Sequence, residues 1–370
     1  MNNIEPNPIS EYYIAYFDIL GYKDFFKKTP ENERQFLNAI NDAIQRVKED
    51  VKTFNGSELI GFVAKTEIKI KIFSDNFLLC VEVGTNVERE KARLLAFMFI
   101  VSEIQRNFII QYGLFVRGGI TKGRLSFNDD YVFGDGLIEA VEMEQDTRHP
   151  RIAISGNICE YMNSVQMYSK EDVQRAEAIV NKLLVGDSIS EEDKKFQSEI
   201  DRLMGLEYLA ATIWTVIGFR CADDVMCLSY LYCLDIRSFI SEELVKELPS
   251  LIRQIAPNDN HLPLPFPDID RVLGLHQTIV ETKLMEHNIY ISLDTANVKD
   301  FDIQESILRK YIWSMYYHNK MCELYNKPQY HIYTIANCEN RHMKLTVFVV
   351  DKDNKIKTDL VKSEIEQPNV

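Results

Sequence analysis

Residues 12–19 form a short apolar, aromatic run that ends on Asp18 and Ile19 before Gly21 breaks it. Such a run predicts a buried strand. Between residues 24 and 54, apolar side chains recur at helical spacing: Phe25, Phe26, Phe36, Leu37, Ile40, Ile44 and Val47. Thr29-Pro30 divides that stretch into two expected helices. Residues 65–74 alternate, with Ile68, Ile70 and Ile72 on one face and Lys69 and Lys71 on the other. Residues 77–83 are a second strand-like run, so the pair predicts a hairpin with Asp75 at its tip. A broad apolar face from Leu94 to Ile109 predicts a strong helix over 86–112. Beyond it, 114–125 reads as a glycine-punctuated strand, 131–133 as a short strand, 134–145 as a helix and 151–155 as a strand. The order β-α-α-β-β-α-β-β-α-β is that of an α+β domain with a mostly antiparallel sheet.

From residue 157 the pattern turns mainly helical. Residues 187–201 are polar and charged and read as a mobile loop. The proline-rich stretch 257–267 separates helices, and 301–325 predicts a long helix rich in aromatic residues. Residues 344–351 read as a terminal strand. The expected division is a first domain over 1–160 and a mainly helical region over 161–370, with a dimerisation or lid role for the latter.

Composition narrows the partners. The chain has 370 residues, enough for about two domains. Its 56 acidic and 42 basic side chains give a net charge of -14. That balance argues against a nucleic-acid polymer as partner, because phosphate neutralisation needs clustered Lys and Arg. A small anionic substrate stays open if a metal ion and a few basic groups focus the local field. The seven cysteines are odd in number and none has CxxC spacing, which reads as thiols in a reducing compartment. There is no apolar signal core and no run of about 18 apolar residues, so the cytoplasm is expected and a membrane is not.

Two carboxylates carry the candidate chemistry. Asp18 ends a buried strand and Asp75 sits at a hairpin tip, an arrangement that can bring both to one side of a sheet. Mg²⁺ or Mn²⁺ takes oxygen ligands and often binds through one or two carboxylates plus substrate phosphates. The plainer reading makes both aspartates ordinary turn residues. The lysines of 65–71 read as a solvated strand face, and Arg117 beside Gly118-Gly119 as a buried structural arginine. The glycines lack P-loop spacing, and the scattered histidines form no zinc-hydrolase motif. His318-Asn319 reads as a satisfied packing pair, and the acids after Cys221 as a polar turn before a buried helix.

Four segments in order resemble the class III nucleotidyl cyclases, the adenylate and guanylate cyclase catalytic fold. They are FDILGY at 17–22, KIFSD at 71–75, VRGGITKGR at 116–124 and VFGDGLIEAVEME at 132–144. The resemblance implies a ferredoxin-like palm of the class III type. It implies Asp18 and Asp75 as ligands of two Mg²⁺ or Mn²⁺ ions, with the Ile19 carbonyl as a third ligand. It places Lys71 near the base and Arg124 on phosphate oxygens. It also implies a nucleoside triphosphate substrate, a 3′,5′-cyclic product and a head-to-tail homodimer. Tyr131 stands where purine-specific members read the base edge, and its bulk resembles the pyrimidine cyclases of Pycsar antiphage systems, which make cyclic CMP or cyclic UMP. Ile138 and Glu142 fall where the family has a transition-state Asn and Arg. Arg117, Lys122, Arg148 or a partner subunit are the candidates for the missing charge. A palm-type oligonucleotide synthase and a silent nucleotide sensor or scaffold are the alternatives.

Overall fold

The computed structural model describes residues 9–21, 30–56, 67–84, 87–128, 130–184, 188–221, 223–231, 268–286, 298–332, 345–350 and 356–361. The elements are β1 (Ser10–Ile19), α1 (Pro30–Gly56), β2 (Lys69–Phe73), β3 (Asn76–Glu82), α2 (Val87–Tyr112), β4 (Val116–Phe127) and β5 (Val132–Phe133). Then follow α3 (Asp135–Asp146), β6 (Ile152–Ile154), α4 (Gly156–Ser164), α5 (Lys170–Leu184) and α6 (Glu191–Ile217). After β7 (Gly218–Arg220) and β8 (Met226–Leu228) come α7 (Ile269–Glu286), α8 (Val298–Leu324), β9 (Leu345–Val350) and β10 (Ile356–Val361). The first expected helix of 24–29, Lys65 and the proline-rich stretch 257–267 lie outside the described residues.

One sheet organises the chain, in the order β2-β3-β1-β4-β6-β8-β7, with β5 added to β4. Among the described residues only β4 and β6 pair in parallel; the other pairings are antiparallel. The chain is thus a mixed α/β protein with an antiparallel-rich sheet. β1 is central because its apolar run can be buried on both sides. Tyr13, Ala15, Phe17 and Ile19 join a core with α1 and α2, while Tyr12 and Ile14 face a smaller cluster on the opposite side with Leu78, Cys80 and Leu125. On the first side Phe17 stacks on Phe77 at 5.3 Å, and Phe108 of α2 meets both edge-on. α2 is long and apolar enough to cross a membrane, but it is mostly buried in this core.

α3 crosses the opposite side of the sheet unusually closely. A Cβ on Gly123 would fall 2.4 Å from the Gly136 Cα, and one on Gly136 would fall 2.4 Å from the Ile14 side chain. Only a glycine pair permits that backbone approach. The buried residues of α3 are Gly136, Ala140 and Glu144, a stripe with a period of four. From Gly136 to Glu144 the helix rises about 12 Å. Four residues of β1, from Ile14 to Asp18, cover about 13 Å. The glycine contact at one end therefore sets Glu144 against Asp18 at the other.

Two expectations are corrected. Residues 191–201 are not a loop: α6 starts at Glu191, and the Ser190 hydroxyl caps it by accepting from the Asp193 amide. Glu191, Glu192 and Asp193 in the first turn complement the helix dipole. A buried Lys91–Glu207 ion pair then ties α6 to α2. The acids after Cys221 precede a strand, not a helix; they form the turn between β7 and β8, with Asp224 at φ 66°. These two strands, from beyond residue 160, extend the sheet of the first part. α7 and α8 pack on each other around Leu273, Trp313, Tyr317 and Met321, against Ile109 and Phe115 near the start of β4. β9 and β10 form their own two-stranded pair.

Candidate functional site

Asp18 and Asp75 meet at one end of the sheet. Asp18 is paired in register with Asn76 on β3 and with Arg117 on β4. Ser74 and Asp75 form the two-residue loop of the β2–β3 hairpin, with Ser74 at φ 59°, the positive φ such short loops demand. The tip is docked to β1 by the Ile19 amide, which donates to the Asp75 carbonyl at 3.1 Å. The Tyr16 hydroxyl donates to Asn76 Oδ1 at 2.9 Å, and Asn76 Nδ2 donates to Asp75 Oδ1 at 3.2 Å. A chain of side-chain hydrogen bonds thus orients the Asp75 carboxylate.

The guanidinium of Arg117 grips Asp18 from the neighbouring strand. Nε donates to Oδ1 at 3.0 Å and Nη2 to Oδ2 at 3.3 Å. Nη1 reaches the Thr147 carbonyl at 3.4 Å. Nη2 also lies 2.7 Å from Glu144 Oε1, but that contact is not aligned as a hydrogen bond, and Oε1 is buried with no hydrogen-bond partner. Burial, and next the charge of Asp18, push the Glu144 carboxyl up to about 7, while Arg117 pulls it down. Burial works against the Arg117 cation, yet the hydrogen bond and charge of Asp18, with Glu144 behind them, hold it above its ordinary value. Asp18 and Glu144 therefore share one guanidinium, and the charge of Asp75 is felt at Glu144. Sequence reasoning missed Glu144, whose place at the site follows from the close packing of α3 on the sheet at Gly136.

Lys71 and Tyr131 sit further along the same face. Lys71 is opposite Leu78, itself opposite Tyr16, roughly 7 Å along β1 from Asp18. Its Nζ donates to the Asn128 carbonyl at 3.1 Å. The Asn128 side chain accepts from the Tyr131 amide at 2.8 Å, and the Tyr131 ring stacks on Phe133 at 5.2 Å. One turn thus gathers Lys71 and Tyr131.

Arg124 is elsewhere. It lies seven residues beyond Arg117 on β4, about 23 Å away, and pairs in register with Glu11. Its Nε donates to Asp135 Oδ2 at 2.8 Å, and its backbone amide donates to Oδ1 of the same carboxylate. That hydrogen bonding holds the Asp135 carboxyl below its usual range. Within one chain Arg124 does not join Asp18 and Asp75. Ile138 is 60% exposed and Glu142 is also exposed, on the side of α3 away from the sheet.

The donor set can be tested against a divalent cation. Among the described residues no group of three or more His, Cys, Asp or Glu side chains is arranged to hold a metal ion. Two hard carboxylates, Asp18 and Asp75, do share one edge of the sheet, and the local charge is negative even with Arg117 counted. That composition fits an ion that completes its shell with water and substrate phosphates.

No protein-family model matches the chain, and no curated protein does. Among solved structures, two of a bacterial light-regulated adenylyl cyclase are similar to it, at 16% and 17% identity with TM-scores of 0.30 and 0.31. Each likeness covers 44% of this chain and 48% of the other, so the chain spans about half the length of those neighbours. The adenylyl cyclases are weak structural neighbours, and a likeness at that level assigns no activity.

Proposed function

We propose that the chain is a metal-dependent nucleotidyl cyclase on a ferredoxin-like palm, converting a nucleoside triphosphate to a 3′,5′-cyclic monophosphate and pyrophosphate. The observation that supports it is the meeting of Asp18 with the hairpin-tip Asp75 at one end of the sheet. Asp18 and Asp75, with the Ile19 carbonyl, hold Mg²⁺ or Mn²⁺. Two such ions, when bound, neutralise phosphate charge and activate the 3′-hydroxyl for in-line attack on the α-phosphorus. Lys71 and Tyr131 flank the base, and the bulk of Tyr131 favours UTP or CTP. Arg124 serves the phosphates of a second copy in a head-to-tail homodimer, since its own Asp18 is out of reach. The setting is the cytoplasm, and the resemblance alone points to a second messenger of antiphage defence.

A second reading, a silent nucleotide sensor, is favoured by the exposed Ile138 and Glu142 and by the engagement of Arg124 with Asp135. Mass spectrometry after incubation with Mn²⁺ and each of ATP, GTP, CTP and UTP separates the two. A single cyclic mononucleotide, absent with Asp75→Asn, is the expected result. Linear oligonucleotides would move the assignment to a synthase. No product from any triphosphate, with the fold intact, would leave the sensor.

A further inference from the structure

Arg117 stands where a cation bound by Asp18 would need room. Its fork takes both Asp18 oxygens, and a guanidinium held 3.0 and 3.3 Å away repels a second positive charge on the same carboxylate. Glu144 offers it another seat. The residue is 6% exposed, its Oε1 has no hydrogen-bond partner, and Arg117 Nη2 already lies 2.7 Å from that atom. Arg117 thus already forms an ion pair with Glu144, and what that pair lacks is only the alignment of a hydrogen bond. The Thr147 carbonyl, 3.4 Å from Nη1, lies at the end of α3 beyond Glu144. A small rotation of Arg117 toward α3 would align Nη2 with Oε1 and uncover Asp18.

We propose that Arg117 is a resident counter-ion that an incoming divalent cation displaces from Asp18, and that Glu144 is the acceptor onto which it moves. Both are positioning residues: they act through Asp18. The device keeps the carboxylates compensated until a cation arrives, and it makes cation affinity depend on the Arg117–Glu144 bond. It rests on Asp18 and Asp75 being the cation ligands.

The test is titration of the full chain with Mn²⁺ alone, followed by the electron paramagnetic resonance signal of free Mn²⁺, with no nucleotide and no turnover. Removing the competitor in Arg117→Gln should tighten Mn²⁺ binding about tenfold, the size of effect typical of groups that support a metal ligand. Arg117→Lys keeps the charge without the fork and should fall between the two. Glu144→Gln leaves Arg117 on Asp18 and should weaken binding by a similar factor. In the double variant the Glu144→Gln effect should vanish, because there is no guanidinium left to seat. Melting curves of each variant report the fold. Wild-type binding that depends on Asp75 but is unchanged or weaker in Arg117→Gln and Arg117→Lys overturns the displacement while leaving the cation site standing. A Glu144→Gln loss that persists in the Arg117→Gln background overturns the acceptor role, since Glu144 would then act on the cation directly. No binding in wild type or in any Arg117 variant sinks the cation site itself, and the displacement with it.

Discussion

In the C-terminal helical pair, a buried polar chain closes on itself. The Tyr330 carbonyl can only accept, so His318 Nε2, 2.7 Å away, carries the proton. His318 Nδ1 then accepts from His276 Nδ1 at 3.0 Å, and His276 Nε2 accepts from the Tyr230 hydroxyl at 3.1 Å. The Cys322 sulfur also lies 3.4 Å from His318 Nε2, and both rings are fully buried. At the end of the sheet the polar groups are not balanced. Asp18, Asp75 and Glu144 outnumber Arg117, and one buried carboxylate oxygen has no hydrogen bond. The first cluster is complete as it stands and serves packing. The second carries an excess of negative charge.

The largest effect should come from breaking the complete cluster. His318→Ala removes the hydrogen bonds to Tyr330 and His276 and the contact with Cys322, opens a cavity in a core that includes Trp313 and Tyr317, and should cost about 3 kcal/mol in urea unfolding. Mn²⁺ binding at Asp18 should not change beyond what lower stability dictates. Acid breaks the same cluster without mutation. Burial pushes the His318 imidazole down to about 4, and burial together with His318 pushes His276 well below its ordinary value. In the unfolded chain both titrate near 6.5. Below that pH the unfolded state takes up protons that the folded state refuses. The stability is present above about pH 6.5 and is lost as pH falls through about 4, by about 3 kcal/mol from His318 alone. Unfolding midpoints across that range should show the slope, and His318→Gln should flatten it.

At the sheet end the order reverses, with function falling before stability. Asp75→Asn should lower cyclic-nucleotide formation about 100-fold and abolish Mn²⁺ binding, while the melting temperature stays near that of wild type. A large melting change would mean that Asp75 is a turn residue with a structural role.

Much of the first cluster's neighbourhood was hidden in the sequence, while the strands that carry the second were plain. Residues 12–19 and 77–83 are apolar runs whose strands follow from composition; Asp18 stands at the end of the first and Asp75 just before the second. The alternation also places Lys71 on β2, but its bond to the Asn128 carbonyl is a contact no strand pattern states. Glu144 was not legible, because its place depends on how closely α3 can lie on β1 and β4, a contact between Gly123 and Gly136 that no local pattern states. Attention to Ile138 and Glu142 looked at the opposite side of the same helix. α6 was misread because its first turn is acidic; Ser190 followed by Glu-Glu-Asp is a capping sequence, and charge there favours a helix. His276 and His318 are 42 residues apart, so their pairing rests on the packing of α7 against α8.

The smallest expected effect concerns how tightly the unbalanced cluster is held. Tyr16 stands between the two regimes, since its hydroxyl satisfies Asn76, and Asn76 in turn positions Asp75. Burial raises the Tyr16 hydroxyl above its ordinary value, with Glu144 and Asp18 adding to it, so it is a neutral donor at physiological pH. Tyr16→Phe removes one part-buried hydrogen bond and should cost about 1 kcal/mol of stability. If the hydrogen-bond chain only braces the hairpin, Mn²⁺ affinity should follow stability and hardly move. If it aims the Asp75 carboxylate, affinity should drop by roughly tenfold at unchanged melting temperature once the stability loss is restored by an unrelated stabilising substitution. The geometry favours the second outcome, because the Asn76 amide contacts the carboxylate itself and not the backbone of the turn.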